Sequence, residues 1–222
     1  MTRVVTLPTG ADARLRNEGA PLVAVLANGG TARPVAGTWS ATSELLAEEL
    51  APRHRGIVFA EVRYRVKSWR ALTSCVADTT AALELARGHE AGKALLIGFS
   101  MGGAVSIGVA GNPAVTGVLG LAPWLPPELE LTGLTGKRLD VVHGAWDRWL
   151  PGIPGVSAAS SRAGFERARA LGVEGTYTLL GRALHGAAVR RPSGALVRLP
   201  RWRAWVTCVD EALDRFARDA ET

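Results

Sequence analysis

Residues 94–103, Ala-Leu-Leu-Ile-Gly-Phe-Ser-Met-Gly-Gly, restrict the possible folds of this chain more than any other segment. The apolar run ending at Ile97 predicts a buried strand, and the small residues after Ser100 predict the start of a helix. A strand that turns this sharply into a helix leaves no room for side chains beside the turn, and Gly98 and Gly102 supply that room. The turn exposes the Ser100 hydroxyl and points the Met101 N–H towards a bound molecule. The segment therefore predicts a nucleophile elbow.

Strands and helices alternate along the rest of the sequence. Strands are predicted at 4–7, 13–16, 22–26, 57–64, 95–99, 115–121, 139–142 and 176–180, and helices at 43–50, 73–87, 101–110, 158–171 and from 201 onwards. This order predicts an α/β fold whose mostly parallel, twisted sheet has about seven to eight strands and helices on both faces. No linker divides the sequence, so residues 1–222 are expected to form a single domain.

The composition argues against several classes of partner and cofactor. The net charge of +6 comes mainly from arginine, but Trp202 and Trp205, which lie among arginines, share an apolar helix face. They are therefore expected in the core, and no nucleic-acid partner is expected. Cys75 and Cys208 lack a metal-binding spacing and are expected to be free thiols, with neither metal nor cofactor. No signal peptide or apolar run long enough to span a membrane is visible, so a cytoplasmic location is expected.

Histidine and carboxylate residues follow the ends of predicted strands, which is where parallel sheets bind ligands. Of the four histidines, His185 lies in a loop after the last strand and is the predicted base. His54 precedes its strand, and His143 closes a strand, where a structural role is expected. Asp147 lies just beyond the strand that contains His143 and is the predicted acid. Glu128 is the alternative acid.

The order Ser100, Asp147, His185 is the nucleophile–acid–base order that accompanies such an elbow. Together with the segments His143-Gly144-x-x-Asp147 and His185-Gly186, the elbow closely resembles the α/β-hydrolase superfamily over essentially the whole chain. The resemblance implies a Ser-His-Asp triad formed by these three residues.

The resemblance also implies an oxyanion hole, which in this chain departs from the usual pattern. The segment after the buried strand usually reads His-Gly-x in this superfamily, whereas here it reads Asn28-Gly29-Gly30. Because backbone N–H groups hold the oxyanion, the replacement leaves that function possible. By this match, Gly30 and Met101 are the expected donors, with Thr31 as the alternative to Gly30.

The resemblance further implies a minimal enzyme without a lid domain, because only a short proline-rich connection separates Trp124 from Arg138. A serine nucleophile implies cleavage of small-molecule carboxylic esters or thioesters. Tryptophans near the expected site are candidates for an apolar pocket, namely Trp39, Trp124, Trp146 and Trp149. Two alternatives remain open: an acyltransferase or cyclase that uses the same serine, and a non-catalytic binding protein. The sequence also leaves open whether residues 187–200 cover the site.

Overall fold

A computed structural model describes residues 2–88, 92–148 and 156–221 of the chain. One large sheet runs through the centre of the molecule and contains eight strands in the order β1-β2-β5-β3-β7-β8-β9-β10. Its strands are β1 (Thr2–Thr6), β2 (Asp12–Arg16), β3 (Leu22–Ala27), β5 (Ile57–Arg63), β7 (Ala94–Phe99), β8 (Val115–Leu121), β9 (Arg138–Gly144) and β10 (Tyr177–Leu180). The sequence-based fold class is confirmed.

The sheet is parallel except at one edge, where β1 pairs antiparallel with β2 and β2 pairs antiparallel with β5. From β5 to β10 every neighbouring pair is parallel. Two short antiparallel pairs lie outside this sheet and were not predicted from the sequence. They join β4 (Val35–Ala36) to β6 (Val66–Lys67) and β11 (Ala188–Arg190) to β12 (Leu196–Arg198).

Helices cover both faces of the sheet, and alternate strand residues pack against each layer. The helices are α1 (Ala41–Leu50), α2 (Leu72–Arg87), α3 (Met101–Val109), α4 (Ala158–Ala170) and α5 (Trp202–Glu221). Val23 and Val25 of β3 pack in the apolar cluster with α2, α3 and α4, whereas Ala24 and Leu26 pack in the cluster with α1 and α5. A strand buried on both faces reads as the continuous apolar run found at β3.

The tryptophans of α5 differ from each other in their surroundings. Trp205 is fully buried against the sheet, as expected. Trp202 is only partly buried, and the guanidinium groups of Arg198 and Arg203 lie 4.7 and 4.6 Å from its ring centroid. The placement of Trp202 in the core is therefore only partly right, because the helix begins at the surface.

The connection between β8 and β9 contains only a short 3₁₀ turn at Thr132–Leu134 among the described residues. Cys75 and Cys208 are free thiols. None of the described helices is both long and apolar enough to cross a membrane.

Candidate active site

The turn between β7 and α3 has the geometry that its glycines predict. Ser100 adopts φ 55° and ψ −120°, a strained conformation for a residue with a side chain. A Cβ placed on Gly98 would lie 2.3 Å from the Gly102 carbonyl oxygen, and one placed on Gly102 would lie 2.1 Å from the Ala27 carbonyl oxygen. Both distances are too short for any larger residue. The two glycines therefore allow β7, α3 and the end of β3 to meet around Ser100.

The loop after β3 lies directly against this turn. Asn28 anchors it, because its amide nitrogen donates to the Val62 carbonyl at 2.5 Å and its amide oxygen accepts from Ser43 Oγ at 3.1 Å. A Cβ on Gly29 would lie 3.4 Å from Ser100 Cβ, and one on Gly30 would lie 2.2 Å from Met101 Sδ. Asn28 thus anchors the loop that follows β3.

The backbone N–H groups of Gly30 and Met101 have no acceptor within the described part of the chain. The Met101 N–H is one of the unpaired donors that every helix N-terminus presents. Unpaired N–H donors are the kind of group that can stabilise a negatively charged oxygen.

His185 and Asp147 come together beyond the ends of β9 and β10. His185 Nδ1 lies 2.6 Å from Asp147 Oδ2, and the Asp147 side chain is fully buried. The two loops are held together by backbone bonds, one of which runs from the Trp146 N–H to the Ala183 carbonyl at 2.9 Å. Gly144 makes this approach possible, since a Cβ there would lie 2.3 Å from the Leu184 carbonyl oxygen.

Burial alone would raise the pKa of Asp147, because a carboxylate loses its hydration inside the protein. Hydrogen bonds from His143 and His185 outweigh this effect, and the pKa of Asp147 lies below its ordinary value. Asp147 is therefore a carboxylate at neutral pH. Glu128, the alternative acid, is exposed and makes no hydrogen bond or ion pair with another described residue.

The His185 ring also packs beside the elbow. Its centroid lies 5.1 Å from that of Phe99, the residue that precedes Ser100. No hydrogen bond joins Ser100 Oγ to His185 within the described residues, and Ser100 itself is 9% exposed. Hydrogen bonds between catalytic groups are often long without substrate and shorten when substrate binds. The fold thus brings the predicted nucleophile, base and acid to one edge of the sheet.

The architecture matches known structures over nearly the whole chain. A sugar hydrolase from Lactococcus lactis superposes with a TM-score of 0.71 at 17% identity, covering 99% of this chain and 100% of that one. An α/β serine hydrolase without a lid from Xanthomonas campestris gives 0.64 at 15% identity, covering 99% and 94% of the two chains. A butyrate-bound esterase from Thermogutta terrifontis gives 0.67 at 15% identity, covering 97% and 94%.

The chain has the α/β-hydrolase fold. At these identities the superpositions establish the fold alone. No protein-family model matches the sequence, and no curated protein matches it either.

An apolar cavity of about 290 Å³ opens beside His185 in this α/β-hydrolase fold. Its walls include Phe99, Trp146, Leu184, Val189 and Leu199. Val189 and Leu199 belong to the segment 187–200, which contains the β11–β12 hairpin. Val189 lies on β11, and Leu199 directly follows β12. That segment therefore forms a wall next to His185.

The hairpin is fixed to α1 by several contacts. Thr42 Oγ1 donates to the Ala188 carbonyl at 3.2 Å and accepts from the Ala187 N–H at 3.2 Å. The Arg190 and Arg198 guanidinium groups each lie 2.9 Å from a glutamate of α1, Glu44 and Glu49 respectively. These anchors hold the cavity wall in place on the side of His185.

The four candidate pocket tryptophans have different positions. Trp146 lines the cavity and is 52% exposed. Trp124 adjoins the elbow, because its backbone N–H donates to the Ser100 carbonyl oxygen at 2.9 Å. Trp39 lies away from both, with the guanidinium groups of Arg14 and Arg63 at 4.6 and 5.4 Å from its ring centroid. Trp149 lies outside the described residues.

Trp69 belongs to the same region but was missed by sequence reasoning. Its ring stacks on that of Trp124 with centroids 6.1 Å apart, and its Cδ1 lies 3.1 Å from the position of a Cβ on Gly30. Its position in the sequence could have identified it, because Trp69 follows the end of β5 and therefore lies at the same sheet edge as the other candidates. The described residues include no cluster of three or more His, Cys, Asp or Glu side chains able to hold a metal ion.

Proposed function

We propose that this protein is a serine hydrolase that cleaves carboxylic esters or thioesters through an acyl-enzyme. The observation that carries the proposal is the left-handed backbone of Ser100 beside the partly buried His185 and its buried partner Asp147. The fold of esterases and other hydrolases supports it. We also infer that residues 1–222 form one domain without a lid, which the short β8–β9 connection supports.

In this proposal, Ser100 Oγ attacks the carbonyl carbon while His185 Nε2 accepts the hydroxyl proton. The carbonyl oxygen becomes an oxyanion that accepts hydrogen bonds from the N–H groups of Gly30 and Met101. Asp147 accepts from His185 Nδ1–H and stabilises the imidazolium. The intermediate then collapses, the bond to the leaving oxygen or sulfur breaks, and His185 donates its proton to that atom. Water then attacks the acyl carbon while His185 accepts its proton; the bond between the acyl carbon and Ser100 Oγ breaks, His185 returns the proton to Oγ, and the acid is released.

The position of the cavity suggests which part of the substrate it binds. Because His185 must protonate the leaving atom, the leaving group lies on the side of His185. That side is the apolar cavity with Val189 and Leu199 in its wall. We therefore propose that the preferred substrates are esters of apolar alcohols of moderate size. The acyl group then lies towards Trp69 and Trp124, on the other side of the elbow.

A panel of acetate esters tests this assignment. With the acetyl group held constant, kcat/KM should rise by about 10-fold from methyl to hexyl acetate, as expected for partial burial of the added methylenes. Val189→Asp should reduce this ratio towards one and leave methyl acetate turnover unchanged. Val4→Asp is the matched control, since Val4 is an exposed valine on β1 away from the cavity. Equal kcat/KM values for methyl and hexyl acetate would contradict the assignment.

A further inference from the structure

Asp147 belongs to a longer line of buried hydrogen bonds that extends away from His185. His143 is fully buried at the end of β9, and its Nε2 lies 2.9 Å from Asp147 Oδ2 and 2.8 Å from the Val156 carbonyl oxygen. On the other side of the ring, His143 Nδ1 lies 2.7 Å from Ser161 Oγ in the first turn of α4. The Ser161 hydroxyl in turn lies 2.8 Å from the hydroxyl of Tyr177 on β10.

These contacts define the tautomer of His143. Its Nε2 faces two oxygens that can only accept, a carboxylate and a carbonyl, and must therefore carry a hydrogen. Its Nδ1 accepts from the Ser161 hydroxyl, which can itself accept from the Tyr177 hydroxyl. A neutral imidazole satisfies both contacts of the ring, and the Ala158 carbonyl oxygen, 3.2 Å from Ser161 Oγ and 2.8 Å from the Tyr177 hydroxyl, is an alternative acceptor for either hydroxyl. His143 thus donates a hydrogen bond from Nε2–H to Asp147 Oδ2.

The Asp147 carboxylate depends on this donor for its orientation. Its Oδ2 accepts from both His143 and His185, whereas its buried Oδ1 has no hydrogen-bond partner in the part of the chain that the structure describes. Within that part, only the two histidines hold the carboxylate. His143 comes from the rigid end of β9, while His185 must move its proton during the proposed reaction.

We propose that His143 is a positioning residue: its Nε2–H fixes Asp147 Oδ2 against His185, and Ser161 maintains the tautomer that does so. The inference rests on the proposed function, in which Asp147 orients the base. It assigns to a buried histidine, which sequence reasoning treated as structural, a role in orienting the acid. Misplacement of reacting groups by about 1 Å can cost on the order of 10²-fold in rate.

A double-mutant cycle separates this role from a general contribution to folding. Per active site titrated with a fluorophosphonate, His143→Leu should lower kcat for methyl acetate by about 10²-fold with KM unchanged. In an Asp147→Asn background the same substitution should cost little more, because the residue through which His143 acts has already been changed. An equal loss in both backgrounds would overturn the proposal.

Two further variants keep the test decisive. His143→Gln retains an N–H donor near the position of Nε2 and should recover most of the activity; a loss equal to that of His143→Leu would contradict the proposal. His54→Leu is the matched control, because His54 Nε2 lies 2.7 Å from Asp210 Oδ1 in a separate, largely buried His–Asp pair. It should lower stability without changing kcat. A comparable fall in kcat for His54→Leu would also contradict the proposal.

A spectroscopic measurement distinguishes failure of this inference from failure of the proposed function. In the folded protein, the His185 Nδ1–H proton bonded to Asp147 should give a far-downfield NMR signal. This signal should shift upfield or disappear in His143→Leu, and it should persist in His54→Leu. An unchanged signal in folded His143→Leu overturns the positioning role, even if esters are cleaved. If the signal is present in the wild type and shifts in His143→Leu, but the wild type cleaves no ester, only the proposed function is contradicted.

Discussion

His185→Ala is expected to lower ester turnover by about 10⁴- to 10⁶-fold, with the protein still folded. Without the imidazole, nothing accepts the Ser100 proton or returns one to the leaving atom. His185 is only partly buried, so its loss leaves a small cavity next to Phe99 and Asp147 and not a large defect in the core. The measurement is kcat and KM for methyl acetate, with circular dichroism and thermal unfolding to verify the fold.

His54→Ala serves as the control for this change. It removes an imidazole of the same size from a His–Asp pair in which Asp210 lies on α5. His54 lies between α1 and β5, at the opposite end of the parallel strands. We expect its kcat to equal that of the wild type. If His185→Ala retained more than a tenth of the wild-type kcat, His185 could not be the general base.

Asp147→Asn should be the second most damaging substitution, with a loss of about 10⁴-fold in kcat. Both histidines bond the same oxygen, Asp147 Oδ2. An amide either turns its nitrogen towards them and presents donors only, or turns its oxygen towards them without the negative charge that stabilises the imidazolium. His185 would then lose either the tautomer in which Nε2 accepts a proton or the charge that stabilises its protonated form. Kinetics with the acetate panel measure the loss.

Glu128→Gln is the matched control for the acid. Glu128 is exposed and has no described partner, so its neutralisation should leave kcat unchanged. The reverse pattern, with a damaging Glu128→Gln and a mild Asp147→Asn, would mean that Glu128 is the acid.

The features that the sequence predicted well are those that a short segment determines by itself. The elbow is one, because a Cβ on Gly98 or Gly102 would lie less than 2.5 Å from a backbone carbonyl oxygen. The alternation of β3 residues between two apolar clusters is another, since a continuous apolar run has few other ways to be buried. Asp147 and His185 could be nominated because residues after parallel strands meet at one edge.

Features that depend on distant packing were not predictable. The β11–β12 hairpin consists of two three-residue strands whose position depends on Thr42 and Glu44 of α1, far away in the sequence. Trp39 was grouped with the pocket tryptophans, but strands β2 and β5 present Arg14 and Arg63 to its ring. The contact between His143 and Asp147 depends on how α4 and β10 pack behind β9.

Labelling with a fluorophosphonate tests the central claim most directly. The reagent reacts with a serine only where a base activates the hydroxyl and donors stabilise the charged intermediate, so it reports the elbow, the base and the oxyanion hole together. Peptide mapping of the labelled wild-type protein should find a single modified residue, Ser100, and His185→Ala should abolish the modification. Modification at another residue, with Ser100 intact in the folded protein, would contradict the account.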